Sequence, residues 1–214
     1  MTEVRSRDLL RLAAPLIATN AIQSLLSLTD LWFLGRLSTD AVAALGAIFW
    51  IVICLATVLS GVSFVVQSFV SQAVGARRRA RASQAAWTGL WAALLAVPLT
   101  TALALLGRPL IDALGLQPTT AALAWEFWAP RVLGLPLGLA VWAITSFYNG
   151  TGQTLRTLGI AGLAIAANLP LNQWFIFEFG WGMAGAAWAT NAAQLLALGA
   201  GLAVFLGRQT RRRF

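Results

Sequence analysis

The chain has 214 residues, of which 59% are hydrophobic and 10% are charged. Soluble domains are about 45–50% apolar and about 25% charged, so this composition excludes a water-soluble globular domain and indicates a helical membrane protein. All fifteen basic residues are arginine, seven residues are acidic, and the formal net charge is +8. With no histidine and one cysteine, Cys54, the sequence excludes a histidine-based catalytic triad, a His/Cys zinc site and an intrachain disulfide.

The hydrophobic pattern predicts an all-α integral membrane protein with six transmembrane helices. A spanning helix needs about 20 apolar residues, and runs of that length alternate here with short polar or Gly/Pro-rich segments. In chain order the predicted spans are Leu9–Leu34, Val42–Val74, Ala82–Leu106, Thr120–Phe147, Leu158–Phe177 and Met183–Phe205. They leave a polar N-terminus, residues 1–8, a short interfacial segment, residues 107–118, and a basic C-terminus, residues 206–214.

The arginines predict how these spans are oriented. Twelve of them fall on one side: Arg5, Arg7, Arg11, Arg77, Arg78, Arg79, Arg81, Arg156, Arg208, Arg211, Arg212 and Arg213. The other side has Arg36 and Arg108, with Arg131 just inside the outer part of span four. Because cytoplasmic loops are enriched in Lys and Arg, both termini are expected in the cytoplasm and the protein in the inner (plasma) membrane. The basic runs are therefore interpreted as topology signals, and no nucleic-acid partner is expected.

Span one carries a polar stripe inside an otherwise apolar helix. Asn20, Gln23, Ser27 and Asp30 are spaced by three, four and three residues, which places them on one helix face. Polar side chains are costly in hydrocarbon, so a stripe ending in a carboxylate indicates the lining of a water-filled cavity. The alternative is that Asp30 lies close enough to the outer end of the helix to reach water.

Spans five and six repeat this feature. Asn168 and Asn172 lie four residues apart on one face of span five, and Pro170 between them is expected to kink the helix and free a carbonyl. Span six offers Thr190, Asn191 and Gln194 within one helical face. The polar faces of spans one and five are candidates for a common chamber, although the sequence alone does not show that they meet.

At this point the sequence resembles a known transporter family, multidrug and toxic compound extrusion (MATE). The resemblance begins with LLRLAAPLIATNAIQSLLSLTDLWFLGRLSTDAVAALG, Leu9–Gly46, where an L-x-x-P opening, a late Asp and a Gly-Arg-Leu stretch recur together. It continues in QAVGAR from Gln72, FYNGTG from Phe147, ANLPLN from Ala167 and GMAGAAWAT from Gly182. The order and spacing of these pieces extend over almost the whole chain.

The resemblance implies one lobe of a larger fold, in which twelve helices form two six-helix lobes around a central cleft. This chain matches the first lobe only, so a second lobe, from a second copy or from a missing C-terminal half, is the implied partner. The implied activity is export of amphipathic, often cationic drugs or metabolites in exchange for protons or sodium ions. The implied ion-coupling residue is Asp30, with Gln23, Asn168 and Thr190 in the polar cluster around it. Many relatives carry a second carboxylate where this chain has Asn172.

These residues suggest a simple coupling chemistry. Loss of water around a carboxylate favours its neutral form, whereas a bound organic cation favours the charged form, so proton and cation compete for one acid. The neighbouring amide and hydroxyl groups orient the acid, a water or a sodium ion without titrating. Neither a metal nor an organic cofactor is expected, and Asp30 alone is expected to carry the coupling.

Three other interpretations stay open. A lipid-linked sugar flippase of the same superfamily has a similar helix layout, but usually lines its cleft with several cationic residues. A non-transporting membrane subunit or an inactive fragment is suggested by the length, because one lobe has no opposing lobe. A membrane enzyme is the least favoured, because the sequence has no histidine, no lysine and no paired carboxylates.

Overall fold

The computed structural model describes the backbone of residues 6–211 and the side chains of residues 13–208 and 210. Within that range every regular element is helical and no strand occurs. The helices are α1 (Ser6–Leu37), α2 (Thr39–Gly75), α3 (Arg79–Leu106), α4 (Arg108–Asp112), α5 (Pro118–Leu133), α6 (Leu135–Gly150), α7 (Thr154–Gln173), α8 (Gly182–Leu206) and α9 (Arg208–Arg211), with a π-helical turn at Trp174–Glu178. The all-α membrane fold expected from the sequence is confirmed.

Five of the predicted spans overlap α1, α2, α3, α7 and α8, whose ends differ from the predicted ones by at most four residues, and the predicted fourth span overlaps both α5 and α6. Within the described residues, α2, α3, α7 with its π turn, and α8 are long and apolar enough to cross a membrane, and the bent pair α5–α6 gives a fifth crossing if it counts as one span. The helix α1 is not among them, although its 32 residues extend about 48 Å at 1.5 Å per residue. Six crossings, with α1 as the first, therefore stay a prediction, and residues 1–5 and 212–214 of the predicted termini lie outside the described range.

The predicted fourth span is two helices rather than one. The helix α5 ends at Leu133, α6 begins at Leu135, and the two are bent by 43°. Pro136 explains the break, because it has no N–H for the Val132 carbonyl and its ring crowds that carbonyl. Arg131 is the fourteenth residue of α5, so it lies about 20 Å along the axis from the first residue. Arg131 therefore lies beside a break within the span, whereas the sequence predicted a position in the outer part of that span.

Small side chains allow α8 to pack closely against α5, α6, α7 and the π turn. Its buried face consists largely of Ala and Gly, which permit short distances between helix axes. At one end of the bundle, the Tyr148 hydroxyl on α6 donates to the carbonyl of Gly201 on α8 at 2.8 Å. At the other end, a Cβ on Gly185 would lie 2.6 Å from the Phe175 carbonyl oxygen in the π turn. The helix α8 is thus held at fixed depth against its neighbours, which fixes the height of Thr190 in the bundle.

Two glycine substitutions in α8 test this packing. We expect Gly185→Ala to destabilise the fold by about 1–3 kcal/mol, because the new methyl group meets backbone rather than a flexible side chain. Gly199→Ala is the matched control, since nothing lies within 4 Å of its Cβ position and alanine favours the helix. Thermal unfolding in detergent should show a lowered midpoint for the first variant only. Equal midpoints for both variants would contradict the packing described for α8.

Candidate functional site

The carboxylate of Asp30 is the centre of a polar cluster formed by three helices. On α1 it accepts a hydrogen bond from the Asn172 side-chain amide of α7 at 2.8 Å and one from the Thr190 hydroxyl of α8 at 3.0 Å. Each carboxylate oxygen therefore has its own donor. The polar residues of spans one and five, which the sequence only suggested to converge, do meet here, and span six joins them.

The two donors to Asp30, Asn172 and Thr190, are linked to each other through Asn168. Asn172 also donates to the Asn168 side-chain oxygen at 2.8 Å, so both amide hydrogens of Asn172 are used. Asn168 in turn donates to the Thr190 hydroxyl at 3.4 Å. Asn168 and Asn172 face the same way because they are four residues apart on α7, and both are fully buried. An amide at position 172 acts as a permanent donor to Asp30, which an ionised carboxylate there could not do.

Thr190 allows the cluster to hold Asp30 in either protonation state. Its hydroxyl oxygen lies 3.0 Å from Asp30 Oδ2 and 3.1 Å from the Ala186 carbonyl oxygen, but it has only one proton to donate. When Asp30 is ionised, Thr190 donates to the carboxylate. When Asp30 carries a proton on Oδ2, the acid donates to Thr190 and Thr190 donates to Ala186. Both hydrogen-bond patterns are compatible with the same positions of the heavier atoms, and they differ in the direction of the Thr190 hydroxyl proton.

The other polar residues of α1 lie apart from this cluster. Asn20, Gln23 and Ser27 are exposed on the surface of α1, and the Ser27 hydroxyl donates only to the Gln23 backbone carbonyl at 3.3 Å. They form an open polar face that leads along α1 to Asp30, which is only partly exposed. Pro170 lies within α7, which continues to Gln173 and widens into the π turn directly afterwards. The kink expected at Pro170 stays a prediction.

A second polar group, which the sequence did not assign to the site, adjoins the cluster. On α5, the Nη1 atom of Arg131 is buried and has no hydrogen-bond partner among the described residues. Asn191, the residue after Thr190, donates to the Pro130 carbonyl at 2.7 Å. The approach is possible because residue 134 is glycine, where any side chain would overlap the Asn191 amide. The spacing of Asn191 and Gln194 on span six was visible in the sequence, but the break that brings α5 to them was not.

The structure shows no metal-ligating cluster among the residues that it describes, and one cavity lies away from the polar cluster. Among residues 6–211, no group of three or more His, Cys, Asp or Glu side chains is arranged to hold a metal ion. A cavity of about 530 Å³ opens between α2 and α3, where Arg78 and Arg81 line it together with apolar side chains such as Val62 and Phe69. That cavity shares no lining residue with the Asp30 cluster.

Sequence comparisons with a family profile and with curated proteins agree with each other. The family profile described as MatE matches residues 15–174. A probable multidrug resistance protein NorM from Bradyrhizobium diazoefficiens is 33% identical over 208 residues, which are 97% of this chain and 45% of that protein. Multidrug resistance protein NorM from Burkholderia vietnamiensis is 36% identical over 173 residues, covering 79% of this chain and 37% of the relative. The chain thus spans about half the length of the curated relatives it matches.

Solved structures share the fold. A crystal structure of MATE in complex with MaL6 has a TM-score of 0.86 and 23% identity, and the match covers 94% of this chain and 45% of that one. A MOP superfamily transporter from Pyrococcus furiosus has a TM-score of 0.78 and 24% identity, with 95% of this chain and 45% of that one covered. The helix arrangement of this chain is therefore that of half of such a structure.

Two substitutions test the hydrogen bonds of the cluster. We expect Asn172→Leu to destabilise the fold by about 1–3 kcal/mol, because it removes one of the two donors to a largely desolvated carboxylate. Gln23→Leu serves as the control, since Gln23 is exposed on the same helix as Asp30. The thermal unfolding midpoint in detergent should fall for Asn172→Leu and stay near wild type for Gln23→Leu. An Asn172→Leu protein as stable as the control would show that Asp30 does not depend on this donor.

Proposed function

Because this chain belongs to the MATE family, we propose that it forms one six-helix lobe of a cation-coupled exporter in which Asp30 is the ion-coupling residue. The observation that carries the proposal is the arrangement at Asp30, where a lone carboxylate is bound by neutral donors from α7 and α8. The substrates we propose are amphipathic, cationic drugs or metabolites. The proposed coupling ion is the proton, because the cluster contains a single carboxyl group.

The coupling follows from competition for one negative charge. With Asp30 ionised, a cationic substrate on the polar face of α1 is attracted by the carboxylate. When a proton binds Asp30, that attraction disappears and the substrate is released. Thr190 supports this exchange, since its hydroxyl bonds Asp30 in both states. The site then binds either a proton, which moves inward, or a cation, which moves outward, but not both at once.

The proposed cleft requires a second lobe. The polar residues of α1 between Asn20 and Ser27 are exposed in this chain, and exposed polar groups are costly if they face lipid. A second six-helix lobe opposite α1 would convert this face into one wall of a water-filled cleft. That lobe is either a second copy of this chain or a C-terminal half of the kind that the longer relatives possess.

The orientation we propose follows from the arginines. The loop between α2 and α3 has four of them within Arg77–Arg81, which supports a cytoplasmic position for this loop. With six crossings, both termini then lie in the cytoplasm, and the loop between α1 and α2 lies outside. Asp30 is seven residues from the outer end of α1, or about 10 Å below it.

The polar face of α1 gives less support to a lipid-linked sugar flippase. Such a function calls for exposed cationic side chains that bind pyrophosphate, whereas residues 20–30 contain no basic residue. The exporter and the flippase are therefore distinguished by what they transport, which is a cation for the exporter and an anionic lipid for the flippase.

Replacement of the central carboxyl group tests the coupling role. In the assembled transporter we expect Asp30→Asn to abolish export of a fluorescent cation driven by a pH gradient, because asparagine cannot exchange a proton. Asp40→Asn, which removes an exposed carboxylate at the start of α2, should transport like wild type. Both variants should express and insert normally, as membrane fractions will show. Unchanged pH-driven export by Asp30→Asn would refute the coupling role.

The oligomeric state tests the two-lobe proposal. We expect the chain expressed alone to migrate as a dimer in mild detergent if a second copy supplies the opposing lobe, with cysteines at Gln23 or Ser27 cross-linking in a Cys54→Ser background. If a C-terminal half supplies it, the chain should be monomeric and inactive until that half is co-expressed. Export by a chain that remains monomeric would contradict both forms of the proposal.

A further inference from the structure

The cavity between α2 and α3 is lined by residues that the Asp30 cluster does not use. Its volume of about 530 Å³ lies within the range of ~300–1,000 Å³ that is typical of ligand pockets. The lining side chains come from the last part of α2, the loop after it and the start of α3. The cavity therefore opens where the chain turns between two spans, beside the arginines of this loop.

The lining of this cavity changes from charged to apolar along its length. Arg78 and Arg81 are at the end near the loop, where both side chains are exposed and form no hydrogen bond or ion pair with another described residue. The amide side chains of Gln72 and Gln84 follow along α2 and α3. Further along α2, the wall consists of apolar side chains on one helix face: Val62, Val65 and Phe69. A phospholipid presents matching groups in the same order, which are a phosphate, glycerol esters and acyl chains.

The depth of the cavity matches one leaflet of a bilayer. The helix α3 has 28 residues, about 42 Å at 1.5 Å per residue, which is close to the ~40–45 Å of a bilayer with its headgroups. Arg81 is the third residue of α3, so it lies at headgroup level. Thr88 lines the same cavity seven residues later, about 10 Å deeper and within the hydrocarbon. On the other wall, Val62 and Ala76 are fourteen residues apart, about 21 Å or half of the full membrane thickness.

The apolar wall points in a different direction from the exposed polar residues of α2. Thr57, Ser68 and Ser71 are exposed on one face of that helix, and the apolar side chains of the cavity wall are exposed on another. At 3.6 residues per turn, the two faces are roughly 120° apart. Polar groups are costly against lipid whereas apolar ones are not, so the polar face suits the proposed water-filled cleft and the cavity wall suits acyl chains.

A second copy of this chain would complement the two cavity arginines poorly. In the proposed orientation, the cytoplasmic side has twelve arginines but only two acids, Glu3 and Asp8. The other five acids lie within the bundle or toward the outer side: Asp30, Asp40, Asp112, Glu126 and Glu178. Anionic phospholipids of the cytoplasmic leaflet do supply negative charge at this level, and basic pockets between helices on that side bind such headgroups.

We propose that the cavity between α2 and α3 is a binding site for one anionic phospholipid of the cytoplasmic leaflet. Its phosphate lies between Arg78 and Arg81, its glycerol esters accept hydrogen bonds from Gln72 and Gln84, and an acyl chain lies along Phe69. The leaflet follows from the proposed orientation, whereas the binding itself is independent of the coupling role proposed for Asp30. Failure of either proposal therefore leaves the other standing.

Native mass spectrometry of the purified chain tests the site with two lipids of equal chain length. Delipidated protein in mild detergent is titrated with dioleoylphosphatidylglycerol or with dioleoylphosphatidylcholine, and the lipid retained by each chain is measured. In wild type we expect phosphatidylglycerol to bind on the order of tenfold more tightly, because each arginine near an anionic headgroup contributes to binding. Arg78→Gln combined with Arg81→Gln should remove this preference, and the corresponding pair of lysine substitutions should keep it.

The same loop provides a matched control. Arg77→Gln combined with Arg79→Gln removes the same charge, but neither residue lines the cavity, so this pair should bind like wild type. Thr88→Phe fills the deep part of the cavity without a change of charge and should weaken retention of phosphatidylglycerol. Glycerol 3-phosphate should not displace the bound lipid, because it has no acyl chains. Thermal unfolding midpoints show whether each variant is folded.

Four results would overturn the proposal. The first is equal retention of the two lipids by wild type. The second is an equal loss of preference in the lining pair and the control pair, which would assign the preference to the charge of the whole loop. The third is displacement by glycerol 3-phosphate, which would indicate a site for soluble anions. The fourth is release of the lipid when the two-lobe transporter assembles, which would show that the opposing lobe covers the cavity. If the glutamine pair does not fold, Thr88→Phe decides, since unchanged lipid retention in that variant would also refute the site.

Discussion

The structure depends on one physical constraint: a carboxylate placed within a hydrophobic bundle needs a hydrogen-bond donor for each of its oxygens. Asp30 on α1 receives these donors from Asn172 on α7 and Thr190 on α8. Because an unsatisfied charge in hydrocarbon is so costly, this requirement fixes the rotation of α1 and the relative depth of the other two helices. The small residues of α8 serve the same end, since they allow that helix to approach closely enough for Thr190 to reach the acid.

The break between α5 and α6 is the second feature on which the arrangement of the helices depends. Pro136 interrupts the hydrogen-bond ladder, glycine at position 134 makes room for Asn191, and Asn191 binds the Pro130 carbonyl. The Pro130 carbonyl also accepts the Gly134 backbone N–H at 3.1 Å, so it has two donors. The contact with Asn191 thus links α5 to α8 beside the break.

Hydrophobic periodicity predicted most of the fold, since α1, α2, α3, α7 and α8 all begin and end within a few residues of their predicted positions. It did not predict the break at Gly134, because the hydropathy of an apolar run such as Thr120–Phe147 is the same whether the run is straight or bent by 43°. The family resemblance implied that Asn168 and Thr190 surround Asp30, and the structure brings these residues together with Asn172. The ion-coupling role of this cluster stays a prediction. Helical spacing put Asn20, Gln23 and Ser27 on one face with Asp30, and the resemblance also put Gln23 in the polar cluster. All three line an exposed face, because sequence periodicity tells which residues share a face and not how much of that face is covered.

The single proton of Thr190 has a consequence for the timing of any transport cycle. Rotation of a hydroxyl group takes picoseconds to nanoseconds, whereas shifts of whole helices take microseconds to milliseconds. The cluster around Asp30 therefore relaxes to its new hydrogen-bond pattern long before α1 or α8 can move. Under the coupling role proposed for Asp30, the slower motions of the bundle therefore respond to the average charge of Asp30 and not to each position of the Thr190 proton.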